Sequence, residues 1–150
     1  MAKLVEHNYN VELKWDGDRK GTLKSYKLSD TIEVATPPEF PGGVEGIWSP
    51  EHLFIASVSS CFMTTFTAIA EYSKLKFEEL TVPATGVMNN ESGKFAMTEI
   101  LLQPKLIITD EDQKDKALKI LQKAEQACLI TRSIKTEIKL KPEIVVAALH

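Results

Sequence analysis

Covalent chemistry at neutral pH would fall to the two cysteines, Cys61 and Cys128. A thiolate can attack a peroxide, a disulfide or a metal, but a thiol in apolar surroundings has a raised pKa and is inert. Cys61 therefore becomes a nucleophile only beside a group that favours its charge. Arg19 is the candidate cation, in the turn-forming stretch Asp16-Gly17-Asp18-Arg19. Taken singly, each residue has a plainer explanation. Either cysteine can be a small buried hydrophobe, Arg19 a solvated turn charge, and Glu51 a first-turn acid favoured by the helix dipole. His52 reads as an exposed polar residue rather than a base. Cys61 and Cys128 match neither a zinc spacing nor CxxC. With only His7, His52 and His150 scattered along the chain, no metal site and no cofactor are expected.

The elements that must position these residues are legible in the patterning. Ser49–Lys74, SPEHLFIASVSSCFMTTFTAIAEYSK, opens with Ser49 as N-cap, Pro50 at the first helical position and Glu51 in the first turn. The rest of the segment is apolar or small nearly all the way round, so a buried central helix over about 50–74 is expected, with Cys61 in its middle. Before it, Val11, Leu13 and Trp15 alternate with Glu12 and Lys14 as a half-buried strand. Turn residues and Gly21 then lead into Thr22–Leu28, and Thr31–Ala35 is the third strand of an antiparallel meander. TPPEFPGGVEGIW, three prolines and three glycines in thirteen residues, is a shaped loop suited to lining a pocket.

After the helix, Leu80–Asn89 and Phe95–Thr109 form a hairpin around Asn89-Asn90-Glu91-Ser92-Gly93. Pro83 and Pro104 belong at an edge or bulge because they cannot donate to a ladder. A second helix over about 110–129 is amphipathic, with Ala117, Leu118, Ile120, Leu121, Ala124, Ala127 and Cys128 on its apolar stripe. Ile134–Leu140 and Glu143–Ala148 close the chain as strands separated by Pro142. The order βββ–α–ββ–α–ββ makes this an α+β protein, and 150 residues suit a single domain over 1–150.

Composition narrows the function. The chain is 43% hydrophobic and 26% charged, with a net charge of −3 and dispersed lysines, which argues against a nucleic-acid footprint. No uninterrupted apolar run suggests a membrane span. The polar start MAKLVEHNYN lacks a signal-peptide core, so a cytoplasmic chain is expected. In that reducing compartment any Cys61–Cys128 bond would be transient, catalytic or sensing.

The combination of GDRKG in the first hairpin turn, a Gly-Gly loop, SPEHLFIASVSSCF and a distant second cysteine resembles the OsmC/Ohr family across essentially the whole chain. These are osmotically induced and organic-hydroperoxide-resistance proteins, thiol-dependent peroxidases. The sharpest part is the Pro-Glu-x-Leu-Phe opening, with Cys-Phe ten residues after the glutamate. The resemblance implies an OsmC-like fold: antiparallel sheets on a long buried helix and a second amphipathic one, in an intertwined homodimer. It makes Cys61 the peroxidatic cysteine, Cys128 the resolving cysteine, Arg19 the thiolate's cation and Glu51 the orienter of Arg19. The substrate would be an organic hydroperoxide and the reductant a dithiol, lipoyl-type in some members. Where the hydroperoxide-resistance branch has a Cys-Pro-Tyr-Ser-like run, this chain has Cys128-Leu129-Ile130-Thr131, which favours a general OsmC-like branch. The alternative is a non-enzymatic redox-sensing or small-molecule-binding dimer. Ten residues of straight helix separate Glu51 from Cys61 by about 15 Å, so Glu51 and Arg19 are expected to serve the Cys61 of a second subunit.

Overall fold

The computed structural model describes residues 3–148. The chain divides between Leu53 and Phe54 into two compact units.

The first unit is a three-stranded antiparallel meander, β1 (Glu12–Gly17), β2 (Lys20–Lys24) and β3 (Ile32–Ala35). The hairpin turn lies at Gly17 and Asp18, whose φ of 121° and 47° are left-handed conformations that glycine and aspartate tolerate best. β2 stops before the expected Leu28 because Leu28 N–H donates to Ser25 O and closes a turn. The apolar alternation of Val11, Leu13 and Trp15 is present, but all three are exposed, at 70%, 60% and 72%. The expected half-buried strand is therefore uncovered in the single chain. The Pro/Gly-rich loop folds on itself. Phe40 N–H donates to Pro37 O and Gly43 N–H to Phe40 O, and a β-carbon at Gly43 would collide with the Pro37 carbonyl. Trp48 then bridges Val34 alongside β3.

Helix α1 (Pro50–Tyr72) begins where its capping signal places it. Ser49 is fully buried and its Oγ accepts the His52 N–H at 3.1 Å, filling one of the open donors of the first turn. At the far end Lys74, with φ 59°, turns the chain out of the helix.

In the second unit the two long strands expected before the second helix are each interrupted at a proline, and the two C-terminal strands are separated at Pro142 as expected. β4 (Glu79–Thr81) and β5 (Ala84–Asn89) flank Pro83, β6 (Ala96–Leu102) and β7 (Lys105–Ile108) flank Pro104, and β8 (Glu137–Leu140) and β9 (Glu143–Val146) flank Pro142. The breaks align. Gln103 N–H donates to Pro83 O, Lys141 N–H to Leu102 O and Glu143 N–H to Pro104 O, carrying the ladder across the row of prolines. β4–β7 and β5–β6 pair antiparallel, as the hairpin signal requires. The wholly antiparallel expectation is corrected at the C-terminus, where β6–β8 and β7–β9 pair in parallel. The intervening helices supply the long crossover that parallel pairing needs. They are α2 (Lys114–Ala127), entered through a 3-10 turn capped by Asp110, and the short α3 (Leu129–Arg132).

The core of this unit gathers Val58, Phe62, Phe66 and Ala70 of α1, Ile100, Leu102, Leu106 and Ile108 of the sheet, and Ala117, Ile120, Leu121 and Ala124 of α2. Phe62 stacks on Phe66, and Phe66 meets Phe77 edge-on. α1 is therefore less buried in the single chain than its composition suggests. One stripe at four-residue spacing is core, while Ser60, Met63, Thr64 and Ala68 are exposed. By length and mean hydropathy, 1.7, α1 could cross a membrane, yet that stripe is closed in a mixed core.

Candidate functional site

Cys61 sits one residue before Phe62, so the core stripe that anchors Phe62 places the thiol at the edge of the packed face, half-buried. Cys128 is 1% exposed. It ends α2 and starts α3, with an extended backbone (φ −64°, ψ 116°) that breaks the helix at that residue. The turn beyond it is fixed by Arg132 N–H donating to Cys128 O at 3.2 Å and by Ser133 Oγ donating to Leu129 O at 2.8 Å. Both thiols are free.

The structure brings Cys61 and Cys128 together and makes them unequal. Burial pushes the Cys61 thiol up, but the Cys128 thiol, the Ile130 N–H, the Thr65 hydroxyl and the Leu129 N–H outweigh it, and the net effect holds Cys61 below the ordinary thiol value. Among the described residues only Thr65 meets full hydrogen-bond geometry to that sulfur, Oγ1 to Sγ at 3.9 Å. The other donors stand close enough to favour the thiolate without being aligned as directed bonds. Burial likewise pushes Cys128 up, and there the neighbouring Cys61 adds to the rise, so Cys128 stays above the ordinary value despite Thr131. The result is a partly accessible, more acidic sulfur beside a buried, less acidic one.

None of the four groups that favour the Cys61 thiolate is the cation expected from the sequence. Thr65 was legible in principle, since a hydroxyl one turn after a helical cysteine shares its face. The Leu129 and Ile130 N–H groups carried no side-chain signal, because only the break at Cys128 aims them.

Arg19 and Glu51 belong to the first unit. Arg19 is exposed at the end of the hairpin turn, and its backbone carbonyl accepts the Thr36 N–H at 3.2 Å. Its side chain passes over Gly42, where a β-carbon would stand 3.1 Å from Arg19 Cγ. Gly42 has φ 79°, so both its conformation and this close approach call for glycine. A shallow cavity of about 230 Å³ here is lined by Trp15, Arg19, Val34, Ala35, Thr36 and Pro50, among others. Glu51 is half-buried in the first turn of α1. Among the described residues the ion pairs are Lys24–Glu12 and Lys139–Glu99, so Arg19 and Glu51 form no ion pair in this chain. His52 is exposed as expected, with Nδ1 2.6 Å from Ser49 Oγ and its ring edge-on to Trp48.

Comparison with known proteins agrees with this architecture. The family profile for OsmC-like proteins matches residues 43–143. YmaD of Bacillus subtilis, a protein of uncharacterised function, is 30% identical over 145 residues, covering 93% of this chain and 95% of that protein. Organic hydroperoxide resistance protein-like 1 of Staphylococcus saprophyticus is 27% identical over 143 residues, covering 93% and 96%. Among solved structures, an OsmC-like protein of unknown function from Vibrio cholerae superposes with a TM-score of 0.81 at 25% identity, covering 93% of this chain and all of that one. By the extent of the profile match and the near full-length relatives, this chain belongs to the OsmC-like family.

Proposed function

We propose that this protein is a thiol-dependent peroxidase that reduces organic hydroperoxides to alcohols. The observation that carries the proposal is the unequal cysteine pair: a half-exposed Cys61 favoured as thiolate beside a buried Cys128 held as thiol. The Cys61 thiolate attacks one peroxide oxygen and the O–O bond breaks. The alkoxide leaves and takes a proton, and Cys61 becomes a sulfenic acid. Burial is the main cause of the raised Cys128 pKa, and loss of the Cys61 charge removes the part that Cys61 adds to it. Cys128 then attacks the sulfenic sulfur, releases water and forms the Cys61–Cys128 disulfide. A dithiol restores both thiols by exchange and is itself oxidised to a disulfide. The relative from Staphylococcus saprophyticus, named for organic hydroperoxide resistance, supports this substrate class.

The working form is a homodimer in a reducing, cytoplasmic setting, with Arg19 and Glu51 of one copy serving Cys61 of the other. Three features support the dimer: the uncovered apolar face of β1, the exposed face of an otherwise apolar α1, and an Arg19 without an ion-pair partner among the described residues. The distance along α1 between Glu51 and Cys61 supports the exchange between copies.

The test is consumption of cumene hydroperoxide with dihydrolipoamide as reductant. Wild type is expected to turn over, Cys61→Ser to be inactive, and Cys128→Ser to react once and then stall with an oxidised Cys61. A wild type that consumes no peroxide while Cys61 still oxidises would make the protein a redox sensor instead. A Cys61 unreactive to oxidant and alkylating agent would leave only the ligand-binding dimer.

A further inference from the structure

We infer that the Cys61–Cys128 disulfide is opened by thiol attack on Cys61 alone, with Cys128 as leaving group and the Thr131 hydroxyl as the hydrogen-bond donor that stabilises its thiolate. This rests on the peroxidase cycle proposed above and assigns the reductive half of it to particular atoms.

A thiolate must approach a disulfide along the S–S axis, from the side away from the sulfur that leaves. Cys128 is 1% exposed and fixed at the junction of α2 and α3, so an incoming thiol has no route to its far side. Cys61 is half-buried and remains open to an attacker. Accessibility therefore selects Cys61 as the sulfur that carries the mixed disulfide. The step then faces a difficulty, because the departing thiolate forms in a buried site, where an uncompensated charge is costly. Thr131 answers it. Its Oγ1 is buried with no hydrogen-bond partner, which a native structure rarely leaves without a role. It lies one turn after Cys128 within α3, close enough to favour the Cys128 thiolate. The backbone bonds from Arg132 N–H to Cys128 O and from Ser133 N–H to Ile130 O hold that turn in place.

The electron and proton count closes with an external dithiol. Its first thiolate bonds to Cys61 Sγ, the Cys61–Cys128 bond breaks, and its electron pair stays on Cys128, whose thiolate accepts a hydrogen bond from the Thr131 hydroxyl and then takes a proton from solvent. The second thiol of the reductant, deprotonated, attacks its own sulfur in the mixed disulfide and expels the Cys61 thiolate. The reductant leaves as a cyclic disulfide, two electrons poorer.

The experiment uses the full chain oxidised with diamide, then 2-mercaptoethanol, a monothiol that cannot cyclise. Samples are quenched in acid at early times and the adduct is mapped by peptide mass spectrometry. The adduct is expected on Cys61. Thr131→Val is expected to slow disulfide opening about tenfold, the effect of losing one hydrogen bond to a forming charge, and Thr131→Ser to restore it. Opening rates after denaturation should be equal in all three proteins. An adduct on Cys128, or a Thr131→Val protein that opens at the wild-type rate, overturns the inference and leaves the peroxidase proposal standing. If diamide forms no Cys61–Cys128 disulfide, the resolving role of Cys128 falls and this inference falls with it.

Discussion

Replacing Cys128 by alanine removes the donor that contributes most to lowering the Cys61 pKa. The net worth of one such hydrogen bond is about 1 kcal/mol, which corresponds to roughly fivefold in the thiolate population at neutral pH. Cys61 lies below the ordinary thiol value, and losing a group that favours its charge moves it upward, so the pH at which it becomes reactive rises. The assay is the rate of iodoacetamide alkylation of Cys61 against pH, with the site verified by mass spectrometry. Cys128 itself, being buried, should alkylate slowly in the native wild type. Cys128→Ala is expected to shift the inflection to higher pH and to slow alkylation at pH 7 about fivefold. Cys128→Ser keeps a donor and should stay near wild type. Thr65→Val, which removes the aligned hydroxyl at 3.9 Å, should shift the inflection in the same direction as Cys128→Ala. An unchanged inflection in Cys128→Ala, or an equal shift in Cys128→Ser, would refute the view that neighbouring donors rather than the bare helix position activate Cys61.

Three further outcomes test the scaffold and the assembly. Ser49→Ala removes the cap that accepts the His52 N–H and should cost about 1 kcal/mol of stability in a urea titration. Phe66→Ala deletes a fully buried ring lying between Phe62 and Phe77 and should cost about 3–5 kcal/mol by the same measurement. The double change Leu13→Lys and Trp15→Lys places charge on the exposed face of β1. It should convert a dimer to monomers in sedimentation velocity and lower peroxidase activity with it; a dimer that persists would remove β1 from the interface.

The local chemistry of the chain was legible wherever a short-range rule governs. Ser49, Pro50 and Glu51 announce the start of α1, and the helix begins there. Pro83, Pro104 and Pro142 mark positions unable to donate to a ladder, and each interrupts a strand. What could not be read was how distant segments meet. Parallel pairing of β6 with β8 and of β7 with β9 is chosen by how α2 and α3 cross over, which no local pattern encodes. α1 and β1 looked buried because composition reports how apolar a segment is, not what covers it. In the single chain the apolar face of β1 and one face of α1 remain open.

The site divides along the same line. From the sequence came the identity of the two cysteines, the helix that carries Cys61 and the family whose members pair such residues. The tertiary structure decided which thiol is the more acidic, because pKa depends on burial and on donors brought from elsewhere in the chain. Cys61 is favoured as a thiolate by Thr65 on its own helix and by Leu129, Ile130 and Cys128, which lie far along the chain and are aimed at it only by the break between α2 and α3.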